Sequence, residues 1–354
     1  MKYSNRGIRY IHRVIGDTDI YFIANKIPKF EDAVCSFRIS GSRPELWYPY
    51  TGRVESAAVY DSEGGITRVP IQLEPYGSVF VVFRKNAKID QNRIILVIRN
   101  GQLLYDTSKL ERLSSSANKE TNQVVKFTRQ SSDKIEVAVS EPGRYTFKTA
   151  NGNAQSIEVS SLPDPIEIKG PWQAHFTPNW GAPEYATFDK LISWTAHSDP
   201  GVRYFSGAAT YKQTINIPPD WIDKDRQISL NLGRVEVIAE VKLNGKYLGI
   251  LWKAPFTIDI TSAAKAGDNL LEIKVVNLRI NRQIGDEHLP EDSDRNPNGT
   301  LKSWPQWLQE GKPSPTGRYT FTTWRLWKKD DPLVESGLLG PVTLHLIQTV
   351  KIKM

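Results

Sequence analysis

The side chains with the richest chemistry lie between residues 286 and 327. Asp286-Glu287-His288, Glu291-Asp292 and Asp294 come just before Arg295-Asn296-Pro297-Asn298-Gly299. Carboxylates at such density can do three things. Two of them can face each other across a glycosidic bond as acid and base. Several can supply the oxygen ligands of a Ca²⁺ ion. Or they can border a sugar subsite. The spacing matches no EF-hand, and a solvated acidic loop is the plainest reading. A structural Ca²⁺ is the only cofactor such a set suits. Next along the chain come Trp304, Trp307, Trp324 and Trp327 with Tyr319, the densest aromatic group. Indole faces stack on the C–H faces of sugar rings, and an arginine such as Arg318 can fork hydrogen bonds to hydroxyls. The same residue types also glue domains together. The candidate substrate-binding residues are therefore Asp286, Glu287, Trp304, Trp307, Arg318 and Trp324. None qualifies as a catalytic pair. Alternation across 319–322 predicts Tyr319 and Phe321 on one face and Thr320 and Thr322 on the other.

Little other chemistry is legible. The five histidines, His12, His175, His197, His288 and His345, show no metal-ligand spacing. His12 reads first as a structural hydrogen-bonding group, with a place in a catalytic cleft as the lesser alternative, and His345 as solvent-facing. No nucleophile elbow and no phosphate loop is present. Cys35 is the single cysteine, which excludes an intrachain disulfide and a cysteine-rich zinc site. It sits in the apolar alternation Ala33-Val34-Cys35-Ser36-Phe37 and reads as core. Most of the net charge of +7 comes from the first 160 residues, with 23 Lys and Arg against 17 Asp and Glu; the remainder holds 23 against 22. The excess is scattered rather than striped, which argues against nucleic acid as a partner. No stretch approaches the ~18 apolar residues of a membrane span, and residues 1–7 lack the apolar core of a signal peptide.

These side chains must be held by strands. The apolar residues recur with period two in many short runs bounded by Gly, Pro, Asn and Asp. Ile20–Ala24, Ala33–Ile39 and Ser78–Phe83 define a first sandwich over residues 1–86, and Val79–Phe83 is apolar on both faces. A smaller one follows at 87–163. There Ile94–Arg99 and Gln102–Tyr105 flank Asn100-Gly101, a type I′ hairpin turn. Tyr145–Thr149 and Ser156–Val159 flank Asn151-Gly152-Asn153. Ser114-Ser115-Ser116 with Asn118 to Asn122 reads as an exposed loop. Leu162-Pro163-Asp164-Pro165 is a linker. Residues 164–354 carry the runs Ala209/Tyr211/Ile215/Ile217, Val237/Ala239/Val241/Leu243, Leu271/Ile273/Val275 and Val342/Leu344/Leu346, the pattern of a jelly roll. Helical segments are expected to be few, with a turn or two at Phe188–Trp194 and at Pro219–Asp223. The fold class is all-β: tandem β-sandwiches ending in a jelly roll.

Particular motifs narrow this reading. Tyr204-Phe205-Ser206-Gly207, Leu232-Gly233-Arg234-Val235, Ala239-Glu240-Val241-Lys242-Leu243-Asn244-Gly245-Lys246, Pro255-Phe256, Asp259-Ile260-Thr261 and Gly267-Asp268-Asn269 resemble the sugar-binding, galactose-binding-like jelly roll of family 2 glycoside hydrolases. The flanks Trp180-Gly181, Ser193-Trp194-Thr195, Asn281-Arg282, Ile284-Gly285-Asp286-Glu287, Trp304-Pro305, Gly317-Arg318-Tyr319 and Ser336-Gly337-Leu338-Leu339-Gly340-Pro341 resemble the C-terminal region of the α-L-rhamnosidases of glycoside hydrolase family 106. So do Ile11-His12-Arg13, Gly16-Asp17-Thr18-Asp19 and Pro44-Glu45-Leu46-Trp47, which resemble the sandwich after the catalytic barrel of that family. The resemblance is weakest at about 106–160.

The family's catalytic glutamates lie in an N-terminal (β/α) barrel, which takes roughly 250 residues, so no catalytic residue carries over to these positions. The resemblance implies an ancillary, carbohydrate-binding or barrel-bracing portion of a rhamnosidase-like hydrolase. Its implied partners are a rhamnose-containing plant or algal polysaccharide and a catalytic barrel in cis or in trans. Family relatives are exported bacterial enzymes. Two rival readings stay open: the hydrolase half of a split glycosidase, and an independent lectin-like module.

Overall fold

The computed structural model describes residues 7–107, 124–129 and 134–353. The Ser-rich stretch at 114–122 and most of the N-terminal segment considered above lie outside the described residues. The chain divides into two compact units. The first holds residues 1–164, 223–227 and 346–354, and the second holds 165–222 and 228–345.

The first unit contains two hydrophobic cores. One lies between a five-stranded antiparallel sheet and a three-stranded one. The larger sheet runs Ile8–Ile15, Thr18–Asn25, Ser78–Lys88, Ser42–Tyr48, Arg53–Ser56; the smaller runs Glu31–Phe37, Ile66–Leu73, Asp61–Glu63. Alternation places Tyr21 and Ile23, Cys35 and Phe37, Val69 and Ile71, and Val79, Val81 and Phe83 in this core. Ser78–Lys88 is the middle strand of its sheet. Its second face is also covered in part, because Phe80 packs on Phe22 with ring centroids 4.8 Å apart. The Cys35 thiol has no solvent exposure, and burial pushes its pKa up to about 12; it is a core residue and not a reactive thiol.

The other core joins a four-stranded sheet, Gln102–Asp106, Ile94–Arg99, Gly143–Thr149, Ala154–Val159, to the strands Val125–Arg129 and Lys134–Val139. Asn100 and Gly101 both take positive φ, 49° and 79°, as a type I′ turn between twisted strands requires. The last strand, Thr343–Lys353, pairs with Lys134–Val139 through Gln348–Lys353, and Ile352 is buried in this core.

The second unit is the jelly roll. Its main sheet runs Tyr185–Phe188, Trp172–Phe176, Ala208–Ile217, Gly267–Val276, Ile238–Leu243, Lys246–Leu251, all antiparallel. The expected alternation holds for Ala209, Tyr211, Ile215 and Ile217, for Ala239, Val241 and Leu243, and for Leu271, Ile273 and Val275, all buried, whereas Val237 is half-buried and precedes its strand, which starts at Ile238. The buried Tyr211 hydroxyl accepts hydrogen bonds from the Trp194 indole N–H and the Leu338 amide. Those two bonds tie the segment at 336–340 to the core, so the polar atom is buried without loss.

Helix is scarce, but its places differ from the expectation. Phe188 closes a strand, and the 3₁₀ turn comes later, at Trp194–Ala196, because Ser193 Oγ accepts from the Thr195 amide and starts the turn there. Pro219–Trp221 is a 3₁₀ turn as read. Three short helices were not foreseen: α1 (Pro200–Arg203), capped by Asp199, α2 (Ile280–Asp286) and α3 (Gln306–Gln309). Nor is 319–322 a strand. A single carboxylate takes the Tyr319 and Thr320 amides that a ladder would need. His345 is half-buried rather than solvent-facing, bonds Thr343 Oγ1 at 2.8 Å, and its pKa is lowered by burial. Among the described residues no helix is long and apolar enough to cross a membrane.

Candidate functional site

The site is built on α2 and the long segment that follows it, all within the second unit. Asn281, the second residue of α2, faces the returning chain. Its amide donates to the Val334 carbonyl at 2.7 Å and to Ser336 Oγ at 3.0 Å, and its carbonyl oxygen accepts from the Val334 amide at 2.8 Å. Both ends of the 287–333 excursion are therefore held at one helix.

Asp286, at the other end of α2, anchors the middle of that excursion. It is 1 % exposed. One carboxylate oxygen accepts from the Tyr319 amide at 3.0 Å, the Thr320 amide at 2.7 Å and the Thr320 hydroxyl at 2.7 Å. The other lies 3.1 Å from the guanidinium of Arg282, one helical turn back. Arg282 in turn lies over the Tyr319 ring at 4.9 Å and the Tyr204 ring at 6.0 Å.

Glu287, Glu291 and Asp292 are held as well, while Asp294 is exposed. Arg318, whose side chain is 6 % exposed, donates to Glu287 at 2.9 Å and to the carbonyls of Leu289 and Pro290 at 3.0 and 2.9 Å. Arg325 pairs with the second oxygen of Glu287 at 3.1 Å and also with Glu291. Asp292 accepts from Ser314 Oγ at 2.8 Å. Arg295 reaches the carbonyls of Gly299 and Thr322. These groups enclose a polar cavity of about 20 Å³ lined by Glu287, Asp292, Arg295, Arg318 and Arg325 among others. That is room for about one water molecule and not for a sugar ring. Among the described residues, no three His, Cys, Asp or Glu side chains are grouped to hold a metal ion.

The aromatic residues sit around this charged framework. Trp307 donates its indole N–H to the Asp292 carbonyl at 2.8 Å, and Trp327 donates to Gln283 at 3.1 Å; both are half-buried. Trp304 and Trp324 are 58 % and 55 % exposed. Trp324 is oriented by its N–H bond to the Asn298 carbonyl at 3.0 Å, and Trp304 packs on Phe321, which also meets Trp307. Tyr319 meets Trp180 edge-on, centroids 5.9 Å apart.

The structure thus brings all six candidate residues into one segment but places them differently. Glu287 and Arg318 pair with each other, Asp286 is buried against Arg282 and the 319–320 backbone, Trp307 is half-covered, and Trp304 and Trp324 face outward. Two of the arginines that neutralise the acids, Arg282 and Arg325, are not among the candidate site residues read from the sequence. Only Arg282 left a signal, its i,i+4 spacing to Asp286. His12 bonds Asp19 at 2.7 Å and stacks on Tyr21, the structural role expected of it.

An all-β chain of successive sandwiches, with two indoles set outward on an arginine-locked loop, is the architecture that the resemblance to glycoside hydrolases implies. Comparison with known proteins agrees. Residues 1–62 match the α-L-rhamnosidase family model, glycoside hydrolase family 106. Residues 142–299 match the sugar-binding domain of family 2 glycosyl hydrolases. The solved rhamnosidase of Novosphingobium sp. PP1Y is similar over 98 % of this chain and 25 % of its own, with 28 % identity and a TM-score of 0.63. A putative beta-glucuronidase of Formosa agariphila is 43 % identical over 206 residues, 58 % of this chain and 18 % of that protein. The chain therefore spans no more than a quarter of these two relatives. It resembles the β-sandwich region of the rhamnosidase family and includes a family 2-type sugar-binding jelly roll.

Proposed function

We propose that this chain is the carbohydrate-contacting and barrel-bracing portion of an α-L-rhamnosidase-like glycoside hydrolase, with a rhamnose-containing polysaccharide as ligand and bond cleavage performed by residues outside it. The observation that carries this reading is the division of labour in the 286–327 segment. Asp286, Glu287, Glu291 and Asp292 are committed to arginines, hydroxyls and backbone amides, while Trp304 and Trp324 are presented outward on the framework so formed. A glycosidase pair needs one carboxyl to carry a proton and another to attack or activate water. Glu287, held between Arg318 and Arg325, is suited to holding the loop instead. An indole fixed by its own N–H bond can receive a sugar ring without losing much side-chain freedom.

The test is affinity electrophoresis and calorimetry with rhamnogalacturonan and other rhamnose-containing polysaccharides. The purified chain should bind, and the double substitution W304A/W324A should weaken binding at least about tenfold, the worth of one or two stacking contacts. It should release no product from an aryl α-L-rhamnoside. Turnover by the purified chain that E287Q abolishes would sink the reading.

A further inference from the structure

A second cleft lies in the jelly roll, outside the arginine-locked segment. It has a volume of about 320 Å³ and is lined by Thr177, Trp180, Ser206, Gly207, Asn277 and Arg279. That volume falls at the lower end of the range for small-molecule pockets, roughly 300–1,000 Å³. Most of its polar atoms are already spent on holding it open. The Asn277 carbonyl oxygen accepts from the Gly207 amide at 2.8 Å, and its NH₂ donates to the Phe205 carbonyl at 2.8 Å and to Ser336 Oγ at 3.0 Å. Ser206 Oγ accepts from the Arg282 amide at 2.9 Å, and the Trp180 indole N–H donates to the Ser206 carbonyl. Trp180 is thereby fixed in orientation. Gly207 leaves the adjoining wall bare: a Cβ there would come within 3.0 Å of Phe205 and 3.5 Å of Trp180.

Two groups in the cleft retain capacity for a ligand. Thr177 donates its hydroxyl to the Ala208 carbonyl at 3.0 Å, which leaves its lone pairs free to accept. Arg279 stands exposed at the start of α2, and among the described residues its guanidinium has no hydrogen-bond or ion-pair partner. Arg282, Arg318 and Arg325 nearby in the sequence are each matched to a carboxylate. An arginine is always charged and only donates, and its planar fork fits a carboxylate with two parallel bonds.

We propose that this cleft binds a uronic acid residue. The C–H face of the pyranose lies on Trp180, its carboxylate pairs with Arg279, and a ring hydroxyl donates to Thr177 Oγ1. The proposal stands on side chains other than Trp304 and Trp324 and does not depend on their role.

The experiment uses the full chain, the indole N–H resonance of Trp180 and calorimetry. The probes are methyl glucuronide, methyl galacturonide, their neutral methyl glycosides, methyl α-L-rhamnoside and glucose 6-sulfate. A uronide should shift the Trp180 resonance and bind about tenfold more tightly than its neutral counterpart, with affinity falling as salt is raised. R279Q should remove that preference without changing the melting temperature, and W304A/W324A should leave it intact. Equal affinity for acidic and neutral sugars, tighter binding of the sulfate ester, no uronide binding, or an unaltered preference in R279Q would each overturn the assignment. Loss of polysaccharide binding in W304A/W324A with the uronide preference retained would separate this site from the one proposed above.

Discussion

Asp286 shows how one residue converts sequence into surface. Its buried carboxylate takes three donors from Tyr319 and Thr320 and faces Arg282. A buried charge with three donors on one oxygen and an ion pair on the other is costly to unmatch, because the partners are left without compensation. Replacing it by asparagine puts an NH₂ group where donors already converge and leaves Arg282 buried beside a neutral group. We expect D286N to lower stability by about 3 kcal/mol, measured by urea denaturation followed at the tryptophan fluorescence. It should also change the fluorescence of the native state, since the 319–327 segment carries Trp324 and Trp327. A loss within experimental error of zero would mean that the segment is held by other contacts.

At the scale of elements, the hairpins and the short helices divide cleanly. Asn244-Gly245 turns Ile238–Leu243 into Lys246–Leu251 with φ of 52° and 77°. The Asn244 side chain adds bonds to the Ala263 carbonyl and the Leu270 amide, so the turn also fastens its neighbours. A Cβ at Gly245 would meet nothing within 4 Å. The cost of G245A is thus conformational alone, expected at about 1 kcal/mol by thermal denaturation. A markedly larger loss would point to a packing role that the open space around this glycine argues against. The helices α1, α2 and α3 are four, seven and four residues long. Segments so short carry little periodic signal. They exist because particular side chains hold them: Asp199 caps α1, and Asn281 and Asp286 tie α2 to residues dozens of positions away.

For the whole molecule, the path of the chain matters more than its linear order. The final residues return to the first unit, where Gln348–Lys353 pair with Lys134–Val139 and Ile352 enters the core with Val97, Val137 and Phe147. Truncation after His345 would strip that strand of a neighbour and open the core. We expect amide exchange at Lys134–Val139 to lose its protection in the truncated chain, while the core around Cys35 and Phe83 keeps its own. Retained protection at Lys134–Val139 would show that the small sandwich closes without its last strand. The comparisons operate at the same scale. Likeness along 98 % of the chain to a quarter of a rhamnosidase concerns the arrangement of sheets, whereas the candidate site is a matter of which side chains those sheets leave outside.

Strands were legible because their information is local. Ala209, Tyr211, Ile215 and Ile217 declare a buried face by period two alone, Asn100-Gly101 declares a turn by the φ it tolerates, and Cys35 lies in its core as its neighbours suggested. The acidic and aromatic residues at 286–327 were visible as a set, but their roles were not. Whether Glu287 faces solvent or Arg318 depends on a loop closing over 31 positions, and whether an indole is exposed depends on which carbonyl its N–H reaches. The cleft at Trp180 and Arg279 joins residues a hundred positions apart. No periodicity encodes such meetings. Charge pairing and hydrogen bonding act through space over a few ångströms, so only the folded chain decides which arginine finds a carboxylate and which is left free.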